Sequence, residues 1–313
     1  MVTTALAGCS EIASNAPVVG ESPTGSASVT EGERASYSEW LGRGTTQPSG
    51  LMNVSSIGGS ALTGDAGDSG EENERIQDDA LAMVLLEWGL QAGFVVSEST
   101  TVGLPDPTAE DTDVDRAHWI NGTRVMEGEF DPSRIASAQE DAGRVEDDGD
   151  YTLYIDDEKT LAVSREAVLW TRELSPYISN TTGRAKAHIA AAASPESRYA
   201  AEHDAFADLQ DALPNRGYSG VVFDPAGGVF EGESNTEYTQ IEDTELESDV
   251  LGYTGSSTAD ESSLTASVAV RYPDADAVDD RETIESALGA EADERTIEID
   301  GPVVIVEGEY VDL

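Results

Sequence analysis

Cysteine is all but missing. Cys9 is the single cysteine among 313 residues, so no disulfide can form within the chain and no Cys-rich zinc set can be assembled. A secreted chain with one thiol either pairs with another molecule or uses that thiol chemically. Basic residues are scarce as well: 17 stand against 63 acidic ones, and Lys159 and Lys186 are the only lysines. With a formal charge of −46 and no basic patch, nucleic acid and anionic lipid surfaces are repelled as partners. Long apolar runs are lacking too. Residues 80–96 come nearest, but Glu87 and Gln91 interrupt them and they fall short of the roughly 20 residues a membrane span needs. A core helix over 74–92 is expected there, ending at Gly93 and running into a strand over 94–96, with no transmembrane segment elsewhere.

The usual chemical signatures are missing. There is no Gly-x-Ser-x-Gly, no Ser-x-x-Lys and no cysteine to pair with a histidine, and Gly227-Gly228 lacks the Lys and spacing of a phosphate loop. His118, His188 and His203 have no metal spacing. Asp111-Thr-Asp113-Val-Asp115 opens like a calcium loop, but Arg116 stands where Gly is required and Gly122 where the bidentate Glu belongs. Asp274-Ala-Asp276 with Glu285 fails at Val278 and Asp279, and 146–150 is a carboxylate-rich turn. No metal site, cofactor or catalytic residue is expected, although loosely bound cations are.

What is present is charge, and it is scattered along the whole chain. Such a chain repels itself apart in dilute buffer, because screening reaches about 10 Å at 0.1 M salt and only about 3 Å at 1 M. High net charge with low hydrophobicity is also the composition of a disordered acidic protein, a description that fits residues 10–75 best. Beyond them the 38% hydrophobic content is arranged periodically. The Arg-over-Lys bias and dispersed acids resemble proteins of extremely halophilic archaea.

Leu6-Ala7-Gly8-Cys9 resembles a lipobox, the site where a prolipoprotein is lipidated on cysteine and cleaved just before it. The resemblance implies lipidation at Cys9 and anchoring to the outer face of the cytoplasmic membrane. Only eight residues precede Cys9, with no apolar h-region, so Met1 is expected to lie inside a longer signal peptide. Residues 9–35, rich in Ser, Thr, Gly, Pro and Glu, read as lipid attachment and flexible tether. Asn53-Val-Ser55, Asn121-Gly-Thr123 and Asn180-Thr-Thr182 are glycosylation sequons, more than so few asparagines would give by chance.

The remainder reads as α+β in two related halves, 36–175 and 176–313, each a helix-backed antiparallel sheet carrying a β-α-β-β block. In the first block a strand from Thr123 to Phe130 precedes a helix from Pro132 to Ala142, with Asp131 as cap. An acidic turn from Glu146 to Asp150 follows, then strands from Tyr151 to Ile155 and Thr160 to Trp170. In the second, Ser267 to Tyr272 and a helix from about Asp280 to Leu288 lead to strands from Arg295 to Ile299 and Val303 to Tyr310. A competing repeat register aligns 125–130 with 305–310. Between the blocks, helices are expected over 184–193 and 195–213, the second capped by Ser194, then a strand over 220–223 and a polar stretch over 231–263.

The composite expectation is a lipid-anchored, non-catalytic cell-surface module binding a surface protein, a polymer or itself. Trp119, Trp170, Tyr177 and Tyr253 would serve as its binding aromatics. Two other classes fit the same sequence: a structural subunit assembling through edge strands such as 303–310, and a hydrolase using paired carboxylates with one raised pKa.

Overall fold

Twelve strands, all antiparallel to their neighbours, form one continuous sheet in the computed structural model. Described are residues 36–46, 52–58, 79–82, 114–139, 143–173, 180–213, 217–226, 246, 250–259, 263–279 and 281–311. The strands are β1 (Met52–Gly58), β2 (Val114–Ile120), β3 (Thr123–Gly128), β4 (Arg144–Asp148), β5 (Tyr151–Ile155), β6 (Lys159–Val163), β7 (Ala167–Arg172), β8 (Tyr218–Phe223), β9 (Gly252–Ala259), β10 (Ser263–Arg271), β11 (Glu294–Asp300) and β12 (Val303–Val311). Their order across the sheet is β11-β12-β10-β9-β8-β1-β2-β3-β7-β6-β5-β4. The helices are α1 (Pro132–Ser137), α2 (Thr181–Ala193), α3 (Asp204–Asp211) and α4 (Arg281–Ala287).

The α+β class and the antiparallel sheet are as the sequence predicts. The expected boundary at 175/176 falls between β7 and α2, and the sheet runs unbroken across it because β1 pairs directly with β8. Outward from that seam both sides follow one order: a three-strand meander, a short helix, and a last strand returning beside the third. On one side these are β1-β2-β3, α1 and β7; on the other, β8-β9-β10, α4 and β12.

Period-two burial explains the layers. Val54, Ile120, Val125, Leu169 and Val221 project to one face and pack with Ile189 of α2 and Phe206 and Leu209 of α3. Met126 and Val168 point the other way, toward Ile135 of α1. Val222, Val268, Val304 and Val306 do the same beneath Ile284 of α4 and Leu81. Helices therefore pack on both faces of the sheet.

Local signals are obeyed where they are strong. Asn121 (φ 45°) and Gly122 (φ 86°) are the two residues between the paired Ile120 and Thr123, the backbone an Asn-Gly hairpin turn requires. Asp131 caps α1, its carboxylate accepting from Ser133 N–H, with Pro132 in the first turn.

Other expectations need correction. The single strand over 160–170 is two, β6 and β7, reversed at Ser164, whose hydroxyl bonds the Ala167 backbone. The acidic turn at 146–150 is mostly strand β4, with the reversal confined to Gly149 and Asp150. The helix over 195–213 is two 3-10 turns, Pro195–Ser197 and Tyr199–Ala201, followed by α3, and Ser194 makes no side-chain cap bond. β12 lies between β10 and β11 rather than at an edge. The edges are β4 and β11, whose acid-rich exposed sides blunt edge-to-edge pairing. Of the helix expected over 74–92, residues 80–82 are helical; its other positions, except Asp79, lie outside the described residues.

Candidate functional site

A polar network lies in the centre of the face covered by α2 and α3. Ser56 and His118 are direct cross-strand partners on β1 and β2, and Ser56 Oγ lies 2.8 Å from His118 Nδ1. On the far side of the ring, Nε2 stands 3.4 Å from Glu127 Oε2, close enough for charge attraction but long for a hydrogen bond. Glu127 reaches the ring from β3, and its other oxygen accepts the indole N–H of Trp40. Trp40 belongs to the 3-10 helix Ser36–Trp40, which lies over the sheet with Tyr37 OH 3.3 Å from Thr254 Oγ1.

Burial alone would discourage ionisation of Glu127. The His118 contact, the Trp40 N–H and the nearby Arg116 outweigh it and hold the carboxyl below its usual pKa. Glu127 is therefore a carboxylate.

A serine, a histidine and a glutamate in line have the composition of an activated nucleophile, its base and the base's orienting acid. The surroundings withhold that chemistry. Ser56 is 2% exposed and His118 0%, in the middle of two fully paired strands, so the geometry is that of an interior relay fastening β1, β2, β3 and the 36–40 turn together. Among the described residues, Glu127 and Glu146 are carboxyls whose pKa values are displaced, and both move down, opposite to what an acid catalyst needs.

The second buried histidine, His188 on α2, donates to the Trp40 carbonyl at 2.6 Å. Arg184, one turn earlier, donates to the carbonyls of Thr45, Thr46 and Asn121. His203 stacks on Tyr199, ring centroids 4.2 Å apart. No two histidines share a site here.

Of the residues singled out from sequence, Cys9 and Tyr177 lie outside the described residues, as does the side chain of Asn53. Asn121 is 3% exposed, and its Nδ2, the atom a glycan would occupy, donates to the Thr45 carbonyl at 3.0 Å. It acts as a turn residue. Asn180 is exposed and caps α2, its Oδ1 accepting from Gly183 N–H. Trp170 and Tyr253 are buried and Trp119 half-buried, and Trp170 lies under the Arg124 guanidinium at 4.6 Å; they do not make an exposed aromatic patch. Asp274 is spent capping the 3-10 turn Ala275–Ala277, and Glu285 pairs with Arg281 and Arg295.

No family model matches the chain. Nor does any curated protein. Among solved structures, crystal forms I and III of TP0453 align with it at 8% identity over 86% of this chain and 91% and 92% of theirs, with TM-scores of 0.41 and 0.40.

Proposed function

We propose that this chain is a lipid-anchored cell-surface protein of a halophilic archaeon, carrying a non-catalytic envelope or binding domain on a tether. The observation that carries the reading is Leu6-Ala7-Gly8-Cys9: the one cysteine in 313 residues stands where a lipobox places it. Residues 10–35 then have tether composition up to Ser36, where the first described element begins. Among the described residues, the nucleophile-like constellation has its serine and histidine, Ser56 and His118, buried in the sheet, which supports a non-catalytic role. The acid excess fits an exterior facing concentrated salt. Asn180, exposed at the start of α2, is the sequon best placed to carry a glycan.

The test is intact mass and membrane partitioning of protein from its native host, beside a Cys9→Ser variant. Wild type beginning at Cys9, bearing a lipid mass and sedimenting with membranes while the variant stays soluble, is the expected result. If both proteins are soluble and retain residues 1–8, the surface reading falls.

A further inference from the structure

The sheet ends in two edges. Among the described residues, no strand pairs with the outer side of β11 or of β4, and an edge strand presents a row of open backbone N–H and C=O groups. Val145 on β4 is 56% exposed and Ile299 on β11 is 46% exposed. They share a face. Val145 is the cross-strand partner of Tyr154, which belongs with Ile135 of α1, and Ile299 is that of Val304, which belongs with Ile284 of α4. A lone exposed apolar side chain needs no explanation, but one on each edge strand, turned to the same face, fits the two edges to one another. Direction fits as well. All twelve strands are antiparallel to their neighbours and the count is even, so β4 and β11 run in opposite directions. A second copy moved along the sheet with the same face forward therefore brings its β11 antiparallel to β4 of the first, turned only by the sheet's own twist.

We propose that β4 of one copy pairs with β11 of a second copy of this chain, so that the sheet continues head to tail from molecule to molecule. Val145 opposite Ile299 sets the register: Arg144 then faces Asp300, Glu146 faces Glu298, Asp147 faces Ile297 and Asp148 faces Thr296. The apolar pair and the Arg144–Asp300 pair favour the contact. Glu146 opposite Glu298 opposes it, but that charge is offset, since Glu146 already meets Arg144 at 3.0 Å and Lys186 at 3.1 Å. Sliding by two residues to place Val145 on Ile297 leaves Ile299 without an apolar partner and sets Asp148 against Glu294. Two β11 edges cannot cover Ile299 either, because Ile299 on Ile299 sets Glu298 against Asp300 twice. A contact along the five residues of β4 is small and of the transient class. The acids of both edges oppose it in dilute salt, and at about 1 M screening cuts their reach to about 3 Å. The edges are thus blunt in dilute buffer and able to join in brine.

Sedimentation of the full-length chain in at least about 1 M potassium chloride tests this, with Cys9→Ser carried throughout so that neither a lipid nor an intermolecular disulfide contributes. The average mass should climb with protein concentration from the 33.0 kDa of one chain and pass two chains without a stop, as an open head-to-tail contact requires. Val145→Lys spoils β4 and Ile299→Lys spoils β11; both side chains are exposed, and circular dichroism should show both variants folded. Each alone should remain a monomer. Their equimolar mixture should form 1:1 dimers and go no further, because one variant keeps a working β11 and the other a working β4. A wild type that is monomeric at every concentration overturns the proposal, and so does a mixture that stays monomeric. Association of Ile299→Lys alone overturns it too, since that is β4 pairing with β4, and association of Val145→Lys alone does the same for β11. Hydrogen exchange reads the wild type without any variant: amides of β4 and β11 should slow as concentration rises while those of β1 and β8 do not change, and an equal response in all four strands, or none, rejects the edges. Membrane partitioning tests Cys9 and self-association tests the edges, so the anchor and the contact stand or fall separately.

Discussion

His188 donates from Nδ1 to the backbone carbonyl of Trp40 at 2.6 Å, and this bond closes the joint between α2 and the 36–46 segment. The ring is fully buried and its Nε2 has no partner. Burial, assisted by the charge of Arg184 and opposed by the bond to Trp40, pushes its pKa from 6.5 down to about 4. Below the ordinary histidine value the unfolded chain takes up a proton that the folded chain refuses, so stability is whole above pH 6.5 and drains as pH falls toward about 4. The loss from this group is about 3 kcal/mol. Denaturant titrations across that range, at constant salt, should show wild type weakening by that order. His188→Gln, which keeps a donor and cannot charge, should weaken less. Equal slopes would remove His188 as the cause.

Glu127 makes a second contribution of the same sign by a different route. Its folded pKa is depressed, so its stabilisation is present above the unfolded value and is lost as pH falls through the folded one. Trp40→Phe deletes the indole donor while keeping the ring's bulk. The variant should be less stable by about 1–3 kcal/mol at neutral pH, and the gap should narrow in acid, where the carboxylate it fails to support is being protonated. A gap independent of pH would assign the loss to packing.

How much of this was legible in the sequence depends on what each strand buries. The run β10-α4-β11-β12 was readable, though β10 begins four residues before the expected Ser267, because β-branched runs around Val268, Val270, Val304 and Val306 mark the strands and Ile284 marks the helix. β9, Gly-Tyr-Thr-Gly-Ser-Ser-Thr-Ala, was read as a polar stretch because it buries Thr254, Ser256 and Ser257, and hydroxyls carry no apolar period. β2 was hidden for the same reason, with His118 fully buried in its centre. The network escaped as well. Ser56 and His118 lie 62 positions apart and meet through the register of β1 on β2, and a register cannot be read from strands not yet recognised. The lipobox-like Leu6-Ala7-Gly8-Cys9 is a local pattern, which needs no register to be noticed.

Gly42 tests the same joint from its backbone side. A Cβ there would lie 2.3 Å from the Ala187 carbonyl oxygen and 2.7 Å from its carbonyl carbon, both main-chain atoms of α2 that cannot rotate away. Gly42→Ala should therefore push the 36–46 segment off α2, stretching the His188–Trp40 and Arg184–Thr45 bonds, at a cost of about 1–3 kcal/mol. Thermal melts at fixed salt give the number. Gly44→Ala is the control: it has open space around it but positive φ, so it reports backbone strain alone at about 1 kcal/mol, and a larger loss there than at Gly42 would contradict the close-approach account.

The charge sets the widest prediction. If every one of the 17 basic residues were paired, 63 − 17 = 46 acidic groups would still lack a partner, so local ion pairs cannot neutralise the surface whatever their geometry. Exposed pairs such as Arg43–Glu202 and Arg281–Glu285 contribute little in any case. Screening by salt is the remaining remedy, and it shortens the reach of each charge from about 10 Å at 0.1 M to about 3 Å at 1 M. Dialysis below about 0.5 M salt should unfold the sheet, and circular dichroism should follow the loss. Sodium, potassium and tetramethylammonium chloride should each restore it, since screening ignores ionic size. A spectrum unchanged at low salt would mean that the packing of the twelve-stranded sheet outweighs the repulsion unaided, and the halophile reading would have to be abandoned.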